Sequence, residues 1–183
     1  MTVSQPPEQA SIRIRRAVDR MRKDLPQLSE IFDAFQDLVA EQAALKIALP
    51  PLNVTELAVD PAQFLDGLPL LRKEDFSVDC DYLKKSAEWL LPAMGKGFPS
   101  ISGQLEAIEK ALHECDSATQ GLMPIMPLGT DQEIEDLAAK LKVDPGILKF
   151  VMLQLVKPFA AKRAESVKPV LETLSWQKGF CPI

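Results

Sequence analysis

Residues 26–50 read PQLSEIFDAFQDLVAEQAALKIALP, and the spacing in this stretch decides the fold class. Leu28, Ile31, Phe32, Phe35, Leu38 and Val39 recur three and four residues apart, so they share one face of a helix. Glu30, Asp33, Asp37 and Glu41 fall between them and belong to the outer face. Pro26 opens this helix, and it runs to about Ala48, before Pro50 and Pro51.

The same pattern continues in both directions. Upstream, Glu8–Lys23 is a basic amphipathic stretch behind Pro6 and Pro7, with a looser apolar stripe of Ile12, Ile14, Val18 and Met21. Downstream, a helix from about Asp79 to Met94 carries Leu83, Ala87, Leu90, Leu91 and Met94, and Gly95 and Gly97 are expected to end it. Another runs from Pro99-Ser100 to Cys115 with Ile101, Leu105, Ile108 and Leu112 inward. Thr130 caps a helix over Asp131–Lys142, and Glu133 three residues on completes a capping box. Asp144-Pro145 starts the last and longest helix, through Leu174, which Pro158 and Pro169 should divide into two or three segments. Residues 50–78 read as a Pro-rich irregular crossing with one short helix between Asp60-Pro61 and Gly67, then an apolar loop at Leu68–Leu71. The expectation is an all-α, irregular bundle of about seven helices, with residues 1–178 as one helical domain.

Charge is distributed unevenly. Residues 1–25 carry a net +3, residues 26–146 a net −12 and residues 147–183 a net +4. The acidic middle repels phosphate backbones, so nucleic acid is not the expected partner, whereas the basic ends can meet an acidic surface. Three scattered cysteines, Cys80, Cys115 and Cys181, read as free thiols of a reducing compartment, with Cys80 and Cys115 as small buried side chains at helix ends. The first residues lack the apolar core of a secretory signal, and no run approaches the roughly 18 apolar residues of a membrane span. A cytoplasmic protein is expected.

Catalytic constellations are missing from the pattern. His113 is the single histidine, so no second one is present to activate a serine or cysteine. GKGFPS at 95–100 lacks the spacing of a phosphate loop. Glu133, Glu135 and Asp136 sit in a first helical turn, where they favour the helix dipole. Residues 134–156 have the layout of a helix-turn-helix DNA reader, but eight of the eleven residues Gly146–Val156 are apolar and only Lys149 is charged. That composition belongs in a core. No enzyme activity and no catalytic residue are expected.

The C-terminus, Trp176-Gln177-Lys178-Gly179-Phe180-Cys181-Pro182-Ile183, ends as the first half of a Cys-Pro-x-Cys knuckle, in which two thiolates two residues apart grip one metal. Residues 179–183 are accordingly expected to be the start of a metal-binding module cut short, and one thiolate, Cys181, holds no metal by itself.

The run Ile147–Phe159 (ILKFVMLQLVKPF), then Arg163-Ala164-Glu165, then Trp176 and Gly179-Phe180-Cys181-Pro182, resembles the formate dehydrogenase accessory protein family (FdhE), as do Leu68–Leu71 and Glu74-Asp75-Phe76 more faintly. The resemblance implies a helical domain followed by rubredoxin-type cysteine modules that bind iron or zinc in the full-length family, with no cofactor in this chain. It also implies a cytoplasmic assembly factor that contacts the catalytic subunit of a molybdenum- or tungsten-dependent formate dehydrogenase. Candidate contact residues are Lys162 and Arg163, with Lys157 and Lys168 beside them, and the aromatics Phe159 and Trp176, each of which can equally fill the core. Two other readings stand beside this one: a helix-turn-helix regulator and the scaffold of a redox module. A second copy of the chain is also a candidate partner.

Overall fold

A computed structural model describes residues 6–50, 78–114 and 130–173, and these form an all-α fold. Six α-helices occur among the described residues: α1 (Pro7–Asp24), α2 (Ser29–Ala48), α3 (Cys80–Gly97), α4 (Ser102–His113), α5 (Asp131–Leu141) and α6 (Pro145–Thr173). The all-α class is as the sequence predicts, with six helices where about seven were expected; the short helix after Asp60 and the crossing around it lie outside the described residues. Two boundaries shift. Pro26–Leu28 and Pro99–Ile101 are single 3-10 turns, and the α-helices start after them. A proline supplies no N–H, so it fits a tight first turn without loss.

Helices α2, α3 and α6 make the centre, and α4 and α5 close it. Leu38 and Leu45 of α2, Leu83, Leu90 and Met94 of α3, Ile108 and Leu112 of α4, and Leu148, Val151, Met152 and Leu155 of α6 are fully buried in one cluster. Burying each leucine- or methionine-sized side chain contributes about 1.5–3 kcal/mol. The amphipathic stripe of α2 is displaced from its predicted place. Leu38, Gln42 and Leu45 are buried, whereas Leu28 and Ile31, together with Met21 and Leu25 where α1 turns into α2, are exposed.

Prolines do not break α6; it is one helix of 29 residues with Pro158 and Pro169 inside. Pro158 cannot donate to the Gln154 carbonyl one turn back. Gln42 takes that role. It is buried on α2, and its Nε2 donates to the Gln154 carbonyl at 3.1 Å and to Gln154 Oε1 at 3.0 Å. The stranded acceptor is thus satisfied from a neighbouring helix, which removes the reason for the helix to end there.

Gly95 and Gly97 also fail to end their helix, because α3 continues through both. Position 97 is a crossing point: a Cβ there would collide with the Ala34 carbonyl of α2. Three aromatic rings surround the crossing. Phe98 lies edge-on to Phe35 at 4.9 Å and to Phe150 at 5.4 Å, and Phe35 meets Phe150 at 6.3 Å. Edge-to-face pairs at these separations are the favoured aromatic geometry.

Helix ends follow the sequence closely at the α5–α6 corner. Thr130 Oγ1 accepts from the Glu133 N–H at 3.3 Å, and the Thr130 N–H donates to Glu133 Oε2 at 2.7 Å, so the capping box closes. Lys142 adopts φ 55° at the C-terminal end of α5, and the Val143 N–H returns to the Ala138 carbonyl at 3.0 Å. Asp144 then caps α6 by accepting from the Ile147 N–H at 3.0 Å, while its own N–H donates to Gln104 Oε1 of α4 at 2.7 Å.

Candidate functional site

Two surfaces carry polar chemistry that the core does not consume. The first forms where the start of α3 meets the middle of α6. Asp79 caps α3 by accepting from the Tyr82 N–H at 2.7 Å, which fixes the first turn and aims Tyr82 at α6. The Tyr82 ring packs on Phe159 at 4.8 Å, and the Arg163 guanidinium sits over the other side of the pair, 4.4 Å from the Phe159 centroid. Residues 159 and 163 are one turn apart, so their side chains meet on a single helix face. A cation over a ring face is held electrostatically, with roughly 0.5–2 kcal/mol at stake depending on exposure.

Burial pushes the Tyr82 hydroxyl above the ordinary tyrosine pKa, with neighbouring Ser86 and the Phe159 backbone pulling the other way. That hydroxyl and the fully buried Ser86 Oγ lie beside each other without closing a well-formed hydrogen bond. Phe159, Lys162 and Arg163 are all half-buried, and Lys157 and Lys168 are exposed on the same helix. Phe159 is therefore a bridge between core and surface, packed inward on Tyr82 and covered outward by Arg163.

The second surface is α1, whose spacing the sequence reading left unused. It rests on α2 through charge more than through apolar burial, since Ala10 is its one buried residue. Arg15 is paired with Asp37 and reaches Glu41 at 3.1 Å, and Arg22 reaches Asp33 at 2.6 Å and Gln36 at 2.8 Å. The acidic outer face of α2 is thus covered by α1 at Asp33, Asp37 and Glu41. The remaining cations, Arg13, Arg16, Arg20 and Lys23, follow one another at helical spacing on the side away from α2. With Asp19 they line a shallow open groove of about 490 Å³.

No family model, curated protein or solved structure matches this chain.

Of the residues picked out from sequence, Phe159, Lys162 and Arg163 come together on α6, and Trp176 and Cys181 lie outside the described residues. Cys80 corrects an expectation: it is buried, as predicted, but disulfide-bonded, so it is not a free thiol. Its partner, one of the two other cysteines, is outside the described residues. The odd cysteine count gave no hint of this pairing. Among the described residues no three His, Cys, Asp or Glu side chains are grouped to hold a metal ion, and no helix is long and apolar enough to cross a membrane. In the helix-turn-helix layout, the second helix is α6, whose first half buries Leu148, Val151, Met152, Leu155 and Val156, while Lys149 is tied to Asp131 at 2.9 Å.

Proposed function

We propose that this chain is a maturation factor that works by holding another protein, and that its partner is the catalytic subunit of a molybdenum- or tungsten-dependent formate dehydrogenase. The partner's identity comes from the resemblance of residues 147–182 to the accessory protein family. The binding mode rests on one observation, the Tyr82–Phe159–Arg163 stack on a continuous helix that carries Lys157, Lys162 and Lys168 around it. Such a patch offers an acidic surface a pre-organised guanidinium, already fixed over its ring, and a ring of mobile ammonium groups. The lysines steer the encounter, and Arg163 with the Phe159 edge supplies the short-range contact.

On this reading the chain itself performs no bond-making step. The described residues supply no ligand set for iron or zinc, so no part of the proposal runs through a metal. The protein would act in the cytoplasm, where such subunits receive their cofactors.

Co-purification of the full chain with a tagged catalytic subunit tests the proposal. A stable complex is expected, and the double change Lys162→Glu with Arg163→Glu should weaken it by about a hundredfold, given that charge pairs across an interface couple by a few kcal/mol. Recovery of the subunit at the same level from wild-type and doubly reversed protein would remove α6 as the contact face. Failure to recover it with either protein would remove the partner.

A further inference from the structure

We infer that the outward face of α1 is a second docking site, built for an acidic polypeptide segment of the partner; this rests on the reading that the chain holds another protein. Six cations stand on α1, and the fold uses two of them, Arg15 and Arg22, to fasten the helix to α2. Arg16, Arg20 and Lys23 make no ion pair with any other residue, and with Arg13 they form a single stripe opposite α2. Like charges at three- and four-residue spacing cost a helix about 0.2–0.5 kcal/mol per pair, and here nothing inside the chain offsets the cost. A local penalty without an internal return marks a surface shaped by something outside.

The stripe's geometry defines its occupant. From Arg13 to Lys23 it spans about 15 Å, close to three helical turns, which suits a short segment with carboxylates repeating at the same spacing. Asp19 does not cancel it, because its carboxylate is already taken by Arg22 at 2.8 Å. A long polyanion fits worse: nucleic acid lying on the stripe would run over the body between residues 26 and 146, which carries a net −12. A lipid surface also fits worse. A membrane-binding helix turns its apolar side outward, whereas α1 turns Ala10 toward α2 and its arginines outward. Ile12, exposed at the edge of the stripe, adds an apolar contact for a helix laid alongside.

The test uses the full chain and a labelled peptide of about 16 residues with glutamates at helical spacing, read by fluorescence anisotropy. Saturable binding is expected. Arg16→Glu with Arg20→Glu should weaken it about tenfold or more, and raising salt from 0.05 to 0.5 M, which shortens the screening length to a few ångströms, should weaken it similarly. Lys162→Glu with Arg163→Glu serves as the contrast and should leave peptide affinity within about twofold. Circular dichroism of each variant confirms that the helices remain. Equal affinity for wild type and the α1 variant overturns the proposal, as does tighter binding of a DNA duplex or of phosphatidylserine vesicles than of the peptide. The outcomes separate from those of the parent reading. Peptide binding through α1 without any complex with the formate dehydrogenase subunit keeps the site and removes that partner; a complex indifferent to Arg16 and Arg20 keeps the partner and removes the site.

Discussion

Single residues decide whether the long helix can exist. Gln42 stands in for the N–H that Pro158 lacks, across 112 positions of sequence. Replacing it with leucine strands the Gln154 carbonyl in the core and should cost about 1–3 kcal/mol, seen as a lower denaturant midpoint with unchanged slope. In the Gln42→Leu protein, Pro158→Ala should recover most of the loss, because the helix then satisfies its own acceptor. Gly97 is a second such residue. Gly97→Ala pushes a methyl into the Ala34 carbonyl and should destabilise by about 1–3 kcal/mol, although alanine is the better helix former, so a stabilised Gly97→Ala protein would contradict the crossing described. Tyr82 gives a pH signature. Its folded pKa lies above the ordinary 10.0, so the neutral ring is favoured in the fold and ionisation favours the unfolded chain. Stability from this group is intact below about pH 10 and falls as pH climbs from there through the raised value. Tyr82→Phe should flatten that alkaline loss in a denaturation series, and tyrosinate absorbance should follow the same curve, since the chain has no other tyrosine.

At the scale of elements, the caps were legible and the interruptions were not. Thr130 with Glu133, Asp144 before Pro145, and Asp79 before Cys80 act within four residues of themselves, so local pattern sufficed. Pro158, Gly95 and Gly97 carry local signals for an ending that packing overrides: a glutamine from α2 mends the first, and close approach to α2 makes use of the last. The stripe on α2 misled in the same way, because periodicity reports which residues share a face and not which end of the helix meets the bundle. Helix α1 shows a further limit. Its four outward cations were present in the spacing, but only the ion pairs of Arg15 and Arg22 separate fastening charges from unused ones. Surface pairs of this kind hold a helix with about 0–1 kcal/mol each, and α1 buries one alanine. Its amides should therefore exchange with solvent well before those of α3, which buries eight residues. Hydrogen exchange resolved by helix measures this directly; equal protection of α1 and α3 would show that charge alone is not what holds α1.

For the whole molecule, the arrangement is a buried apolar centre of α2, α3 and α6 with a basic face at each end of the described chain and an acidic body between them. The bundle class followed from periodicity, while the disulfide at Cys80 did not, because three cysteines in a row of numbers say nothing about which two meet in space. The candidate contact face on α6 was half legible: Lys162 and Arg163 stood out as charge and Phe159 as an aromatic, but their union with Tyr82 needed the fold. Both basic faces make sense together if they grip one acidic partner at two places, which multiplies affinity without any new contact.

The central claim, that this body exists to hold a formate dehydrogenase catalytic subunit, is tested most directly by light scattering behind size-exclusion chromatography of the two full-length proteins mixed at low salt. The account predicts a complex whose mass is the sum of the two chains and which dissociates as salt rises. Separate elution of both proteins at low salt would contradict it.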